Sequence, residues 1–179
     1  MLSWTSSGSG PDGWRGASAI SGHHDTPTAA RELADALHEH GGSSPDLVIS
    51  FGSFQHVAGF SDAMNTLRKT LQPRCLIGTT AESVLGDDTE LDGMSGCAAL
   101  ALWLPGIRIT PWRTTPTHPL PFSRPAELPA RIGYTPESRC LITFADPFTT
   151  PTHRMLQTLS HLPPGTPDLP VVGGLASGG

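Results

Sequence analysis

Residues 46–53 have the sequence DLVISFGS, and this short stretch decides the fold class. Its apolar residues follow one another without the alternation expected of a strand that faces water on one side. Such runs are typical of a strand buried on both faces, as in a parallel sheet covered by helices. Residues 46–53 are therefore predicted to form a central strand of an α/β fold, and this strand ends in the small residues Gly52 and Ser53.

A helix and a second strand are predicted directly after this first strand. The helix runs from about Ser61 to Pro73, which ends it. The apolar side chains that recur at helical spacing on one face are Phe60, Met64, Leu67 and Leu71. The segment CLIG (75–78) is predicted to be the next buried strand, and it leads into the small and polar residues TTAES (79–83).

The same order of elements is predicted again near the end of the sequence. CLITFADP (140–147) has the pattern of a buried strand, a helix begins at about Thr150, and PVVGG (170–174) is the partner strand. The two strands of a unit are 29 positions apart counted from Leu47, and 30 apart counted from Leu141. We interpret the units as an internal duplication. The predicted fold class is α/β, with duplicated strand–helix–strand units in mixed sheets flanked by helices.

An antiparallel hairpin is predicted between the two units. The apolar run from Met94 to Leu104 is typical of a long strand, and residues 107–110 alternate as a half-exposed strand would. Pro105-Gly106 between them is a turn signal, so the two segments are expected to pair with each other.

Composition sets the predicted domain boundaries. Residues 1–16 are rich in serine and glycine and are expected to be a disordered N-terminal tail. Residues 17–179 are expected to form one domain, incomplete at its C-terminus because the last strand stops at Gly178-Gly179, where the first unit continues. Within this domain, residues 111–138 are rich in proline and are expected to form a surface connection.

Charge and hydropathy argue against several classes of protein. The net charge is −5 and the 11 lysine and arginine residues are scattered, so no basic face for nucleic acid is visible. The longest apolar stretch, 97–104, is far shorter than the roughly 20 residues that span a bilayer. We therefore expect a cytoplasmic protein with no nucleic-acid or membrane partner, and with Cys75, Cys97 and Cys140 as buried, reduced thiols.

Small and polar residues follow the predicted strands, at the end where ligands bind in open α/β sheets. Glycine lets a ligand approach the backbone N–H groups, and the acids Glu82 and Asp146 could pair with a ligand amino group. The predicted ligand-binding residues are Gly52, Ser53, Gly78, Thr79, Thr80, Glu82, Asp146, Gly173, Gly174 and Ser177. The alternative is that the glycines serve tight turns and close packing, and that the acids cap a helix or a loop.

No catalytic residue, metal site or cofactor is predicted. Ser177 lies in GLASG (174–178), one residue away from the GxSxG pattern of hydrolases, and no base accompanies it. His56 and His153 occupy matching loops of the two units, although a histidine in a loop is more often a surface residue than a base. The pair His23-His24 lacks the i, i+4 spacing of metal ligands on a helix.

Three segments resemble signatures of the FIST N-terminal domain. LIGTTAESVLG (76–86) is similar to the IGC-S/T-A-G/E-G-V-I segment of that family, and ADPF (145–148) and PVVGGLASGG (170–179) are similar to two further segments. The resemblance extends over residues 17–179. It implies a sensory domain of signal-transduction proteins, with small molecules, amino acids in particular, as ligands and with a FIST C-terminal domain following it.

The predicted function is therefore a small-ligand-binding sensory domain in intracellular signal transduction, sensing an amino acid or a similar molecule. Its expected partners are that ligand and either a FIST C-terminal domain or a downstream signalling protein. Two alternatives remain open. One is a scaffold that engages another protein through an apolar surface. The other, ranked below it, is a hydrolase that uses Ser177 or a histidine near the ends of the strands.

Overall fold

The computed structural model describes residues 2–3, 13–86, 88–115, 117–160 and 169–176. These residues form two compact units, of which unit 1 lies within residues 2–109 and unit 2 within residues 110–176. None of the helices in these ranges combines the length and the hydropathy that a membrane span requires.

Unit 1 is an α/β unit built on one sheet. Its elements in chain order are β1 (Leu2–Ser3), β2 (Arg15–Ser21), α1 (Thr26–Gly41), β3 (Leu47–Ser53), α2 (Phe60–Leu71), β4 (Cys75–Ala81), β5 (Val84–Gly86), β6 (Thr89–Leu91) and β7 (Cys97–Trp103). A 3₁₀ helix, Phe54–Gly59, connects β3 to α2. The mixed α/β class predicted from the sequence is confirmed.

The main sheet of unit 1 has the strand order β1-β2-β7-β3-β4. β3 and β4 are parallel, and β7 lies between β2 and β3, antiparallel to both. As a result β2, β3 and β4 end at one edge of the sheet, with Ser53 opposite Ala81 and Ser21 opposite Cys97, where β7 starts. We call this edge, marked by Ser21, Ser53 and Ala81, the carboxyl edge.

The two long helices of unit 1 cover one face of this sheet. Asp25 caps α1 because its carboxylate accepts the Thr28 N–H at 3.0 Å, and Gly42 ends the helix in a left-handed conformation. The helices pack against alternate side chains of the strands, among them Val48 of β3. On the other face Phe51 of β3 packs against a separate buried cluster that includes Val84 of β5, so β3 is covered on both faces. The buried residues of this core are Ala17, Ala19, Ala29, Leu33, Ala34, Leu37, Val48, Leu67, Leu71, Cys97, Ala99, Ala101 and Trp103.

The antiparallel hairpin of unit 1 lies elsewhere than predicted. β5 and β6 pair with each other, and Val84 joins Ile20 and Ala98 in a second buried cluster. Residues 107–110 form no strand, and the Ile107 N–H donates only to the Leu104 carbonyl, at 3.0 Å, in a turn. The predicted pairing of 94–104 with 107–110 is wrong because β2 and β3 already occupy both edges of β7.

The predicted N-terminal tail contributes to the sheet. Leu2 and Ser3 pair with Ser21 and Ile20, and β2 already begins at Arg15. The prediction of disorder is therefore wrong for these residues. Their backbone pairs with strands that are distant in the sequence, and a composition rich in serine and glycine does not reveal such partners. Residues 4–12 lie outside the described ranges.

Unit 2 combines a parallel strand pair with short helices. Its elements are α3 (Leu128–Arg131), β8 (Leu141–Ala145), α4 (Thr152–Ser160) and β9 (Val171–Leu175). Its buried core consists of Leu120, Leu128, Ile132, Leu141, Ala145, Met155 and Leu159. Three of these residues come from the proline-rich segment 111–138, so this segment contributes to the core of unit 2, and its role as a connection stays a prediction.

Each unit contains one parallel strand–helix–strand arrangement. In unit 1 Leu47 pairs with Cys75 across β3 and β4, and in unit 2 Leu141 pairs with Val171 across β8 and β9. A helix lies between the paired strands in both cases, as predicted. Descent of the two arrangements from an internal duplication stays an interpretation of this likeness.

Candidate functional site

Several chain segments that can hold a ligand come together at the carboxyl edge of unit 1. β2, β3 and β4 end there, α1 begins five residues after Ser21, at Thr26, and the 3₁₀ helix follows Ser53 directly. The starts of α1 and α2 are adjacent, since a Cβ placed on Gly59 would lie 3.0 Å from the Cβ of Thr26. Strand ends and helix starts that converge in this way form the usual ligand-binding edge of α/β sheets.

The predicted residues of β3 are occupied by contacts within the protein. The Ser53 hydroxyl accepts the Gly96 N–H at 2.9 Å, and the Ser53 N–H donates to the Gly96 carbonyl at 2.8 Å. A Cβ on Gly52 would lie 2.8 Å from the Phe60 ring. Close packing therefore accounts for the glycine at position 52, and the hydroxyl of Ser53 anchors the start of β7.

The predicted residues of β4 are more accessible. A Cβ on Gly78 would lie 2.7 Å from the backbone oxygen of Ser50, so close strand packing requires this glycine. Thr79 and Thr80 are half-buried, and the Thr79 hydroxyl donates to the Thr80 carbonyl at 3.3 Å. Glu82 follows the end of β4 and is exposed to solvent. Of the residues predicted in this unit, the threonines and Glu82 are the ones a ligand could reach.

The remaining predicted residues belong to unit 2 or lie outside the described ranges. The Asp146 carboxylate accepts the Phe148 N–H at 2.8 Å and the Thr149 hydroxyl at 2.6 Å. The hydrogen bond from the Thr149 hydroxyl, and to a smaller extent that from the Phe148 N–H, holds the pKa of Asp146 below its ordinary value. Asp146 thus caps its own loop, and Ser177 lies outside the described residues.

The two predicted glycines of β9 differ in their surroundings. Gly173 has a φ of 145°, and a Cβ there would meet the backbone oxygen of Thr143 in the neighbouring strand. At Gly174, no atom of the described residues lies within 4 Å of the same position. A side chain is therefore excluded at Gly173 by backbone conformation and space, whereas Gly174 has room for one.

His56 lies at the carboxyl edge, although it was not among the predicted ligand-binding residues. It was expected at the surface, yet its side chain is fully buried, at 0% exposure, because the 3₁₀ helix turns it inward beneath the start of α1. Its Nδ1 lies 2.9 Å from the Thr26 hydroxyl oxygen, with which it shares a hydrogen bond. Its Nε2 is buried and has no hydrogen-bond partner among the described residues. His153, in the matching position of unit 2, is exposed on α4.

The electrostatic surroundings of His56 favour the neutral imidazole. Burial lowers the pKa of His56 below its ordinary value, and the nearby Asp25 carboxylate opposes this effect without reversing it. Asp25 is itself committed to capping, and its hydrogen bonds with Thr28 lower the pKa of its carboxyl. A neutral imidazole can either donate or accept a hydrogen bond at Nε2, so this atom can hold either kind of ligand group.

The cysteines provide no reactive group at the carboxyl edge. Cys75 and Cys97 are buried as predicted, and burial raises the pKa of the Cys97 thiol to about 12. Cys140 is exposed, so the prediction of three buried thiols is wrong for this residue. Cys140 directly precedes β8, and the apolar run begins to be buried only at Leu141.

Comparison with known proteins gives the family. The model of the FIST N domain matches residues 46–179. Two curated proteins of Mycobacterium tuberculosis, the uncharacterized proteins MT0656 of strain CDC 1551 and Rv0628c of strain H37Rv, are each 28% identical over 154 residues. That alignment covers 84% of this chain and 37% of either relative, so the chain spans well under half of their length. No solved structure matches. The chain belongs to the FIST N domain family.

Proposed function

We propose that this chain is a sensory domain that binds a small ligand at the carboxyl edge of unit 1, next to His56. The FIST family is associated with sensory signal transduction, which supports a sensory role. The location rests on the convergence of three strand ends and two helix starts at one edge. The identity of the ligand and the protein's signalling partners are likewise proposals.

The observation that carries the proposal is the buried Nε2 of His56, which has no hydrogen-bond partner in the part of the chain that the structure describes. A buried polar atom without a hydrogen bond costs about 1–3 kcal/mol, and such an atom in a folded protein needs an explanation. Because Nε2 is fully buried, a ligand can hydrogen-bond to it only when the residues that cover it move aside. That hydrogen bond would remove the cost of the unpartnered atom and so favour the opened arrangement. The hydrogen bond between Nδ1 and Thr26 fixes the ring in place for that contact.

An amino acid is the ligand class we propose. Its amino group would pair with the exposed carboxylate of Glu82. Its carboxylate would meet the N-terminal end of the continuous helical segment formed by the 3₁₀ helix and α2. That end has no side-chain cap at Ser53 and carries the positive end of the helix dipole. As the sequence suggested, an acid would bind the amino group and backbone N–H groups would bind the carboxylate. Asp146 no longer belongs to the proposed site, because it caps its own loop, and His56 is added to the site.

Signalling requires that the amino acid favour one arrangement of the protein over another. A ligand shifts an equilibrium only by the difference between its affinities for the two states. The starts of α1 and α2 both border His56, so a ligand there would restrain both helices. We propose that a FIST C-terminal domain or a downstream signalling protein reads this change.

A thermal-unfolding screen against the common amino acids tests the proposal. An amino acid at a hundred times its dissociation constant adds about 2.7 kcal/mol of stability, which raises the melting temperature measurably. His56→Leu and Glu82→Gln should each remove this rise. Glu90→Gln, which changes an exposed acid of β6, is the matched control and should keep it. A rise that persists unchanged in both His56→Leu and Glu82→Gln would overturn the assignment.

A protein-binding scaffold is the second candidate, and one observation favours it. Phe54 and Val57 in the 3₁₀ helix and Leu85 in β5 expose 64%, 38% and 70% of their surface. Phe54 and Val57 are three residues apart in the 3₁₀ helix, so they lie on the same side of it. Neighbouring exposed apolar side chains are common in protein-binding surfaces. In this case Phe54→Ser would abolish capture of a partner protein, while no amino acid would change the melting temperature of the unaltered chain.

A further inference from the structure

A cavity lies entirely within unit 2, between the proline-rich segment and α4. It has a volume of about 920 Å³. This is within the range of roughly 300–1,000 Å³ that small-molecule sites occupy. Its lining includes the apolar residues Leu120 and Phe122 and the arginines Arg124, Arg131 and Arg154. These lining residues all belong to unit 2, whereas the residues of the carboxyl edge belong to unit 1.

The charges that line this cavity are mainly positive. Arg124 pairs with Glu127 at 2.7 Å, so the charges of these two residues balance. Arg131 donates to the carbonyl oxygens of Arg113 at 3.1 Å and His118 at 3.0 Å, which fixes its guanidinium in place without neutralising it. Two positive charges therefore remain at the wall of a cavity in a chain whose net charge is −5.

Arg154 is the guanidinium best placed to bind a ligand. Its terminal carbon lies 5.1 Å from the centre of the Phe122 ring, within cation–π range. A guanidinium stacked in this way keeps its N–H donors in its own plane, where they can bind a carboxylate in bidentate fashion. Among the described residues, no carboxylate lies within 4.0 Å of Arg154.

We propose that this cavity binds a small organic carboxylate with an apolar body, paired with Arg154 and packed on Phe122. The apolar lining suits the body of such a ligand, and the guanidinium of Arg154 matches one carboxylate group. A compact inorganic anion would leave the apolar surface of Leu120 and Phe122 unused. This ligand class is independent of the amino acid proposed for unit 1.

Isothermal titration of the full chain with phenylacetate tests this inference. Phenylacetate should bind saturably, and its neutral analogue 2-phenylethanol should bind at least about tenfold more weakly because it lacks the charge. Arg154→Gln should lower the affinity for phenylacetate by a similar factor. Arg139→Gln is the matched control, because Arg139 is an exposed arginine of unit 2 that does not line the cavity.

Several outcomes would overturn the inference. They are the absence of saturable binding, equal affinity for 2-phenylethanol, equal affinity for inorganic phosphate, and unchanged affinity in Arg154→Gln. Phe122→Leu keeps an apolar side chain but removes the ring, and should weaken binding without changing the melting temperature greatly. Because His56 lies in unit 1, His56→Leu should leave phenylacetate binding unchanged, so failure of one proposal is distinguishable from failure of the other.

Discussion

At the scale of single residues, His56 is the most informative side chain of unit 1. It is polar and fully buried, and only Nδ1 of its two nitrogens has a partner among the described residues. A leucine at this position would bury no unpartnered nitrogen, so the imidazole carries a cost that an apolar side chain would not. Sites of ligand binding are where proteins commonly carry this kind of cost.

The stability of the chain should depend on pH through His56. Its folded pKa is lowered from 6.5, so the unfolded chain binds the proton more readily. The free energy of unfolding therefore falls as the pH is lowered below about 6.5, by at most about 1.4 kcal/mol per pH unit from this group. His56→Gln should flatten this dependence, measured by denaturant unfolding between pH 7 and pH 5, roughly the range in which a histidine titrates.

His153→Gln is the control for this measurement, since His153 is exposed on α4. It should leave the pH dependence as it is. An identical slope in the unaltered chain and in His56→Gln would show that His56 does not titrate differently in the folded and unfolded states.

Gly78 and Gly174 offer a test of close packing against open space. Gly78→Ala would place a Cβ 2.7 Å from the backbone oxygen of Ser50, which cannot move aside. We expect a loss of about 1–3 kcal/mol in the free energy of unfolding, as is typical of overpacking. Gly174→Ala meets nothing within 4 Å and should change stability by less than about 0.5 kcal/mol. Equal effects of the two substitutions would contradict this account.

At the scale of elements, β7 holds the sheet of unit 1 together. It pairs with β2 on one side and β3 on the other, over residues distant in the sequence. Hydrogen exchange should therefore be slow at the amides of residues 97–103 and fast at residues 107–110, which belong to no strand. Comparable protection of both segments would contradict this account and support the hairpin predicted from the sequence.

The sequence predicted β3, α2, β4, β8, α4 and β9 because their signals are local. The apolar run of β3 and the helical spacing from Phe60 to Leu71 identify these elements without knowledge of their neighbours. The strands that pair with β7 are distant from it in the sequence, so no local signal identifies them. The turn signal at Pro105-Gly106 indicated residues 107–110 as the partner, which is wrong. The buried residues of the proline-rich segment were missed for the same reason, since Leu128 is isolated in sequence and acquires its contacts only in the folded unit.

The candidate site was predicted in part from the sequence. The carboxyl edge followed from strand order alone, and Glu82 and the two threonines do lie there. Sequence could not show that Gly96 engages the hydroxyl of Ser53, or that Asp146 caps its own loop. It also could not show the burial of His56, which depends on the position of Thr26 some thirty residues earlier.

At the scale of the whole molecule, the described chain consists of two units with one proposed site in each. The carboxyl edge of unit 1 carries His56, and the cavity of unit 2 carries Arg154. The chain spans 37% of the length of its relatives in Mycobacterium tuberculosis, so how a bound ligand is reported to a partner remains part of the proposal. The central claim is nevertheless confined to unit 1 and can be tested on this chain.

The most direct test of that claim is an amide chemical-shift map of the chain, recorded with and without the amino acid that raises its melting temperature most. We predict that the largest changes fall on residues 22–26, 53–60 and 80–83, which surround the carboxyl edge, and that residues 141–145 and 171–175 of unit 2 change little. Changes confined to unit 2, or none at residues 53–60, would contradict the account.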